Sequence, residues 1–180
     1  FHLQVSRTKN RKLAAILEGI EGRIRLMSSV HENIYTDDAL SHVDFEQVIK
    51  RLYINALSIN HTHSQNIQFT PRYDVPQLDL QLAMPLAMVI NEILSNSIRH
   101  GFHGVADPKI ELSLKNIGNH GLELHVSDNG IGLKNDTNYE QPDTMGFYLI
   151  RLIVVEQLKG QLHVENNGGT AFKIIIPEQV

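Results

Sequence analysis

Apolar residues at steps of three and four run through residues 11–35: Leu13, Ile16, Ile20, Ile24, Met27, Val30 and Ile34. This spacing predicts one long helix with an apolar stripe over about three and a half heptads, flanked by Glu18, Glu21 and Arg25. A lone stripe of that length must bury itself against another helix, so a dimer partner or bundle neighbour is expected. YTDDALSHVD then breaks the pattern, and Asp44 reads as the cap of a second helix from Phe45 to about Asn60. NIQFTPRYDV alternates and contains a proline, which predicts a strand at a sheet edge. The next helix is expected to open near Met84-Pro85, because proline is tolerated in a first turn.

Beyond the GFHGVADP loop, KIELSLKNI and LELHVSDN read as two strands joined through GNHG as a hairpin. Residues 134–145 are polar and nonperiodic, and are expected to form a flexible loop. MGFYLIRLIVVEQLKG predicts a further helix ended by Gly160, and QLHVENN with TAFKIIIP a last hairpin around Gly168 and Gly169. Strands that arrive mostly as hairpins with helices between them predict an α+β fold, a mixed sheet covered on one face.

Composition acts mainly by exclusion. The chain has 180 residues, about one domain plus a short helical extension, and at 42% hydrophobic and 20% charged it can bury a core. Lysine and arginine total 16 against 20 acidic residues, a net charge of −4, which argues against a nucleic-acid partner. With no cysteine, disulfides and thiolate metal sites are excluded, and a reducing, cytoplasmic setting is expected. Apolar runs such as LAMPLAMVI fall far short of the roughly 20 residues a bilayer span needs. No starting Met or signal peptide is present, so the chain reads as a fragment, with any membrane anchor in the missing part. The ten histidines show no HExxH spacing, and no zinc site is predicted.

Chemistry concentrates in a few stretches. In NEILSNSIRHGF, Glu92 and Asn96 are one helical turn apart and Arg99 extends the strip, beside an apolar arc that takes in Leu86, Val89, Ile90, Ile93, Leu94 and Ser97. A polar strip flanking a buried face suits a cleft wall. Its carboxamide oxygen fits a hard cation such as Mg²⁺, and its carboxylate can accept a proton or orient a nucleophile. DNGIGL follows a strand: Asp128 is placed to accept from an exocyclic amino group, and Gly130 and Gly132 permit positive φ and close backbone approach. In TMGFYLIR, Gly146 opens a helix whose N–H groups suit phosphate, and NNGGTAF puts Thr170 at the start of the last strand. Each stretch alone also reads as ordinary surface or turn.

In this order the four stretches resemble the ATP-binding half of sensor histidine kinases, in the GHKL ATPase superfamily that also holds gyrase and heat-shock chaperone ATPases. NEILSNSIRHGF resembles the N-box, DNGIGL and TMGFYLIR the two glycine boxes, and GGTAF the last motif. Glu92, where most histidine kinases carry asparagine, resembles the subfamily with the second type of HisKA dimerisation domain and the related HWE kinases. RIRLMSSVHENIY looks like the second dimerisation helix of that group.

The resemblance implies a two-layer α/β sandwich, the GHKL or Bergerat ATPase fold, over residues 41–180. Residues 1–40 would be the remnant of a helical dimerisation and phosphotransfer domain. It implies that Asn96 binds Mg²⁺ and the triphosphate, and that Glu92 assists phosphoryl transfer. Arg99 and His100 would lie near phosphate or ribose, and Asp128 would bond the adenine amino group. Gly130 and Gly132 would shape the pocket floor and lid hinge, with residues 134–145 as the ATP lid. Gly146 would approach the phosphates and Thr170 the adenine, with Ile131, Leu133, Met145 and Phe147 completing the nucleotide site.

The implied reaction carries the γ-phosphoryl group of ATP to a histidine, and then to the receiver domain of a response regulator. The acceptor box is not found in the chain and is expected upstream of residue 1, while the N-terminal helix would pair two copies. The chain departs from the family at Phe147 and Tyr148, where smaller or amide residues are usual, and Lys134 is the only base in the lid. Another GHKL ATPase, a serine kinase of the anti-sigma type, and a non-catalytic partner-binding module with a degenerate ATP site remain open alternatives.

Overall fold

The computed structural model describes residues 42–59, 66–75, 77–118, 121–133 and 144–178, all within one compact unit, His42–Val180. The helix expected over residues 11–35, its dimer contact, and residues 134–143 of the loop lie outside the described residues. β1 (His42–Asp44) leads into α1 (Phe45–Ile59), followed by β2 (Gln68–Tyr73) and β3 (Gln77–Asp79). α2 (Leu80–Asn96) runs on as a π turn, Ser97–Gly101, before β4 (Lys109–Asn116) and β5 (Leu122–Asp128). α3 (Met145–Arg151) continues as a π segment, Leu152–Gln157, into β6 (Gln161–Asn166) and β7 (Thr170–Ile176).

Five strands form one mixed sheet in the order β2-β4-β5-β7-β6. β2 pairs parallel with β4 and every other pair is antiparallel. The parallel pair needs a crossover, which β3 and α2 supply. Alternation sets the faces: Ile110, Leu112 and Leu114 of β4, Leu124 and Val126 of β5, and Phe172, Ile174 and Ile176 of β7 are buried. They meet Leu86, Val89, Ile90, Ile93 and Leu94 of α2 and Phe45, Ile49 and Leu52 of α1, also buried. Helices on one face of a mixed sheet make the two-layer α+β sandwich read from the sequence. Between the layers, Tyr53 of α1 stacks on Phe69 of β2 with centroids 4.4 Å apart, and its hydroxyl donates to the Ile67 carbonyl at 2.8 Å. Burial raises the Tyr53 phenol above its ordinary pKa.

Local expectations hold at α1, where the Gln47 N–H donates to Asp44 Oδ1 at 3.2 Å, and at β2, which is a sheet edge. Two do not hold. α2 starts at Leu80, so Pro85 lies inside the helix. Its missing N–H forfeits one bond to the Gln81 carbonyl, but Ala83, Pro85, Leu86 and Ala87 are all buried, and packing carries the extra turn. The helical run after α3 ends with Lys159, not Gly160, in the left-handed region (φ 54°). Gly160 is needed for space, since a Cβ there would stand 2.5 Å from the Ile175 carbonyl oxygen. The ribbon of β1 against β3 was not anticipated, each strand having only three residues. Among the described residues, no helix is long and apolar enough to cross a membrane.

Candidate active site

The strip on α2 folds as its spacing requires. Glu92 and Asn96 are half-buried on successive turns, beside the buried Ile93 and Leu94. The first turn of α3 comes to meet them. A Cβ on Gly146 would lie 3.1 Å from Glu92 Oε2, 3.4 Å from Asn96 Nδ2 and 3.9 Å from Asn96 Oδ1. The α3 backbone thus lies against both polar groups, at a distance that any side chain would fill.

Asp128, at the end of β5, is gathered from three directions. Its Oδ2 accepts from the Ser97 hydroxyl at 2.7 Å. Its Oδ1 accepts from the Gly130 N–H at 2.9 Å and the Thr170 N–H at 3.2 Å. A carboxylate offers roughly four acceptor positions, so these three donors leave one, on Oδ2. The chain then turns back on the π turn of α2: the Ile131 N–H donates to the Gly101 carbonyl at 2.8 Å. Gly130 is required there by space alone, since its Cβ would stand 2.4 Å from that same oxygen.

Other predicted site residues take varied places. Thr170 is buried and joined to Asp128 through its backbone. Gly132 and Leu133 are half-buried beside Asn166, whose side chain holds Leu133 by two hydrogen bonds. Ile131 and Met145 expose their side chains, whereas Phe147 is buried with its ring 5.6 Å from that of Phe172. Phe147 therefore joins α3 to β7 as a packing residue. Arg99 and His100 are exposed on the π turn. Partial desolvation, then the charges of Arg99 and His103, hold His100 below the ordinary imidazole pKa.

The donor set bears on metal binding. Among the described residues, no group of three or more His, Cys, Asp or Glu could hold an ion. Asn96 and Glu92 are hard oxygen donors too few for a protein cage. They suit Mg²⁺, which keeps most of its shell for water and phosphate oxygens.

Ser97, assigned to the apolar arc from sequence, is buried there, and its hydroxyl also braces Asp128. Asn129 and Asn166 were not singled out at all, although each ties the Asp128–Leu133 segment to another part of the chain. Asn129 accepts from the Lys109 N–H at 2.7 Å and donates to the Asp107 carbonyl at 2.9 Å. An exposed asparagine beside a turn carries no mark in sequence that tells a long-range tie from a local one.

Comparisons with known proteins bear on the family and the fold. The family model described as "Histidine kinase-, DNA gyrase B-, and HSP90-like ATPase" matches residues 81–180, and a second, described as "Histidine kinase" and of the second HisKA type, matches residues 1–60. The sensor histidine kinase PdtaS of Mycolicibacterium smegmatis is 29% identical over 97% of this chain and 35% of its own length. The blue-light-activated histidine kinase 2 of Erythrobacter litoralis is 26% identical over 68% of this chain and 36% of its own. The chain thus spans about a third of the length of these relatives. The solved histidine kinase domain of the Erythrobacter litoralis EL346 blue-light activated histidine kinase superposes with a TM-score of 0.74 at 19% identity. That match covers 96% of this chain and 90% of the other and speaks to the fold. With residues 81–180 matching the ATPase model and the N-box and glycine-box segments assembled around Asp128 and Gly146, the chain belongs to the histidine kinase-, DNA gyrase B- and HSP90-like ATPase family.

Proposed function

We propose that this chain is the catalytic region of an ATP-dependent protein-histidine kinase of a two-component system. Nucleotide would lie between α2, the Asp128–Leu133 segment and the start of α3. The observation that carries the reading is the approach of Gly146 to both Glu92 and Asn96, which brings the backbone of the first turn of α3 against a carboxylate and a carboxamide. The acceptor position left on Asp128 Oδ2 suits the adenine amino group, with Ser97 and Thr170 fixing the carboxylate.

Asn96 would hold Mg²⁺ through its carboxamide oxygen, and the bound ion would neutralise charge on the phosphate oxygens. Arg99 and His100 would face phosphate or ribose. Glu92 would accept a proton from, or orient, the attacking imidazole. The new N–P bond forms as the O–P bond to the ADP leaving group breaks, and the protein contributes chiefly position and charge stabilisation.

The acceptor histidine is assigned to a dimerisation helix preceding residue 1, two copies would pair through the 11–35 helix, and a response regulator receiver domain would take the phosphoryl group next. The second-type HisKA match extends to residue 60, but α1 packs on α2 and buries Phe45, Ile49 and Leu52 in the sandwich core. This supports dividing the chain into a dimerisation part over residues 1–40 and a catalytic part over 41–180.

Calorimetric titration of the 180-residue chain with ADP and Mg²⁺ tests the site. No binding at millimolar nucleotide by a folded chain refutes it. A longer chain carrying the upstream helix, given γ-labelled ATP, tests the reaction. Acid-labile, base-stable label supports phosphohistidine, and acid-stable label points to serine.

A further inference from the structure

Asn166 ends β6, and its backbone pairs with Thr170 at the start of β7. Its side chain reaches a different part of the molecule. The Leu133 N–H donates to Asn166 Oδ1 at 2.8 Å, and Asn166 Nδ2 donates to the Leu133 carbonyl at 2.7 Å. A group that accepts from one residue's N–H and donates to the same residue's C=O copies the bond pair exchanged across an antiparallel ladder. β6 is an outer strand of the sheet, and the carboxamide at its end seats Leu133 through this one bond pair. The fit is close. Gly132 has φ 74°, and a Cβ there would stand 2.2 Å from Asn166 Oδ1, so a side chain at that position would break the bond pair.

The bond pair closes a ring. Asp128 Oδ1 accepts from the Thr170 N–H, Thr170 pairs with Asn166, and Asn166 holds Leu133, five positions after Asp128. At the other end of the segment, Asn129 is bound to Asp107 and Lys109. Both ends of the Asp128–Leu133 segment are therefore fixed by side-chain amides, although Ile131 between them exposes its side chain.

We propose that Asn166 is a positioning residue of the nucleotide site: it holds Leu133 so that the Asp128–Leu133 segment keeps the shape in which Asp128 meets the base. The inference rests on reading the cleft as a nucleotide site. The chemistry singles out asparagine, because aspartate loses the donor facing the Leu133 carbonyl and threonine lacks the reach for two parallel bonds. Water competes for bonds this exposed, so their loss should weaken binding by roughly three- to tenfold and leave the fold intact.

The test compares Asn166→Asp and Asn166→Thr in the full 180-residue chain, using ADP with Mg²⁺ and uncharged adenosine as probes, with amide hydrogen exchange at Leu133 as a direct readout. Threonine favours strands and preserves the β6–β7 ladder. Both variants are expected to lose the same factor for both ligands and to expose the Leu133 amide to exchange. Loss confined to ADP in Asn166→Asp, with Asn166→Thr normal, would be a charge effect and overturn the proposal. So would unchanged binding in both variants, or a Leu133 amide already unprotected in the natural chain. If the natural chain binds neither ligand, the nucleotide reading falls and this inference with it. If it binds and the variants match it, only this inference falls.

Discussion

Replacing Gly146 by alanine should separate stability from activity. Gly146 lies in the first turn of α3 and has an ordinary negative φ, so alanine fits the backbone and should stabilise the helix by about 0.5–1 kcal/mol through the unfolded chain. Against this, the new methyl would stand 3.1 Å from Glu92 Oε2 and 3.4 Å from Asn96 Nδ2. A few tenths of an ångström must be recovered by rotating Glu92, at about 0.5–1.5 kcal/mol for an off-rotamer side chain. The two terms nearly cancel, so thermal unfolding should shift by no more than about 4 °C in either direction. The cleft has no such compensation, because the methyl occupies the space between the α3 backbone and the two polar groups. If Glu92 acts on the attacking group as proposed, displacing it by a fraction of an ångström should cost roughly 10–100-fold in turnover. The assay is steady-state autophosphorylation of a longer chain alongside calorimetric unfolding. An alanine variant that phosphorylates normally would refute the placement of Glu92 and Asn96 at the reacting phosphate, and one that fails to fold would refute the packing argument.

Ser97→Ala removes the hydroxyl that donates to Asp128 Oδ2 and should cost about 1.5–3 kcal/mol in urea unfolding, as a charge-assisted bond does; a loss under ~0.5 kcal/mol would show that water replaces it. Asn96→Ala should abolish Mg-dependent nucleotide binding, while Glu92→Gln should lower turnover with little change in affinity; equal affinity losses would contradict the separate roles. His100 has a folded pKa below its unfolded value, so the unfolded chain takes up its proton first and stability falls as pH drops through the ordinary histidine range. His100→Gln should flatten that fall, and NMR titration should find His100 raised again by bound nucleotide, whose phosphates favour the imidazolium. An unmoved resonance would place His100 away from the phosphates.

What was legible in the chain was what repeats locally. The period of α2 put Glu92 and Asn96 on one strip, and alternation in β4 and β7 announced which sheet face is buried. What was not legible depends on partners far away in sequence. Ser97 carries an apolar position's spacing, and its tie to Asp128 spans 31 positions; that of Asn166 to Leu133 spans 33. The start of α2 was missed because a proline signal outweighed burial that only the β3–α2 junction reveals. Gly130 and Gly132 were read as permitting positive φ and close backbone approach; only Gly132 adopts positive φ, while Gly130 is demanded by the close approach of the Gly101 carbonyl, which comes from another element.

The sheet order also bears on how the chain is made. β7, the last described strand in sequence, lies between β5 and β6 in space. While the protein emerges from the ribosome, β5 keeps an open edge and β6 has no neighbour until Thr170–Ile176 is free. Asp128 likewise waits for the Thr170 N–H. At about 5–20 residues per second, everything up to Asn166 is synthesised with the strand that joins β5 to β6 still missing. A nascent chain stalled a few residues early should therefore remain open to protease and unable to retain nucleotide, however complete its helices are.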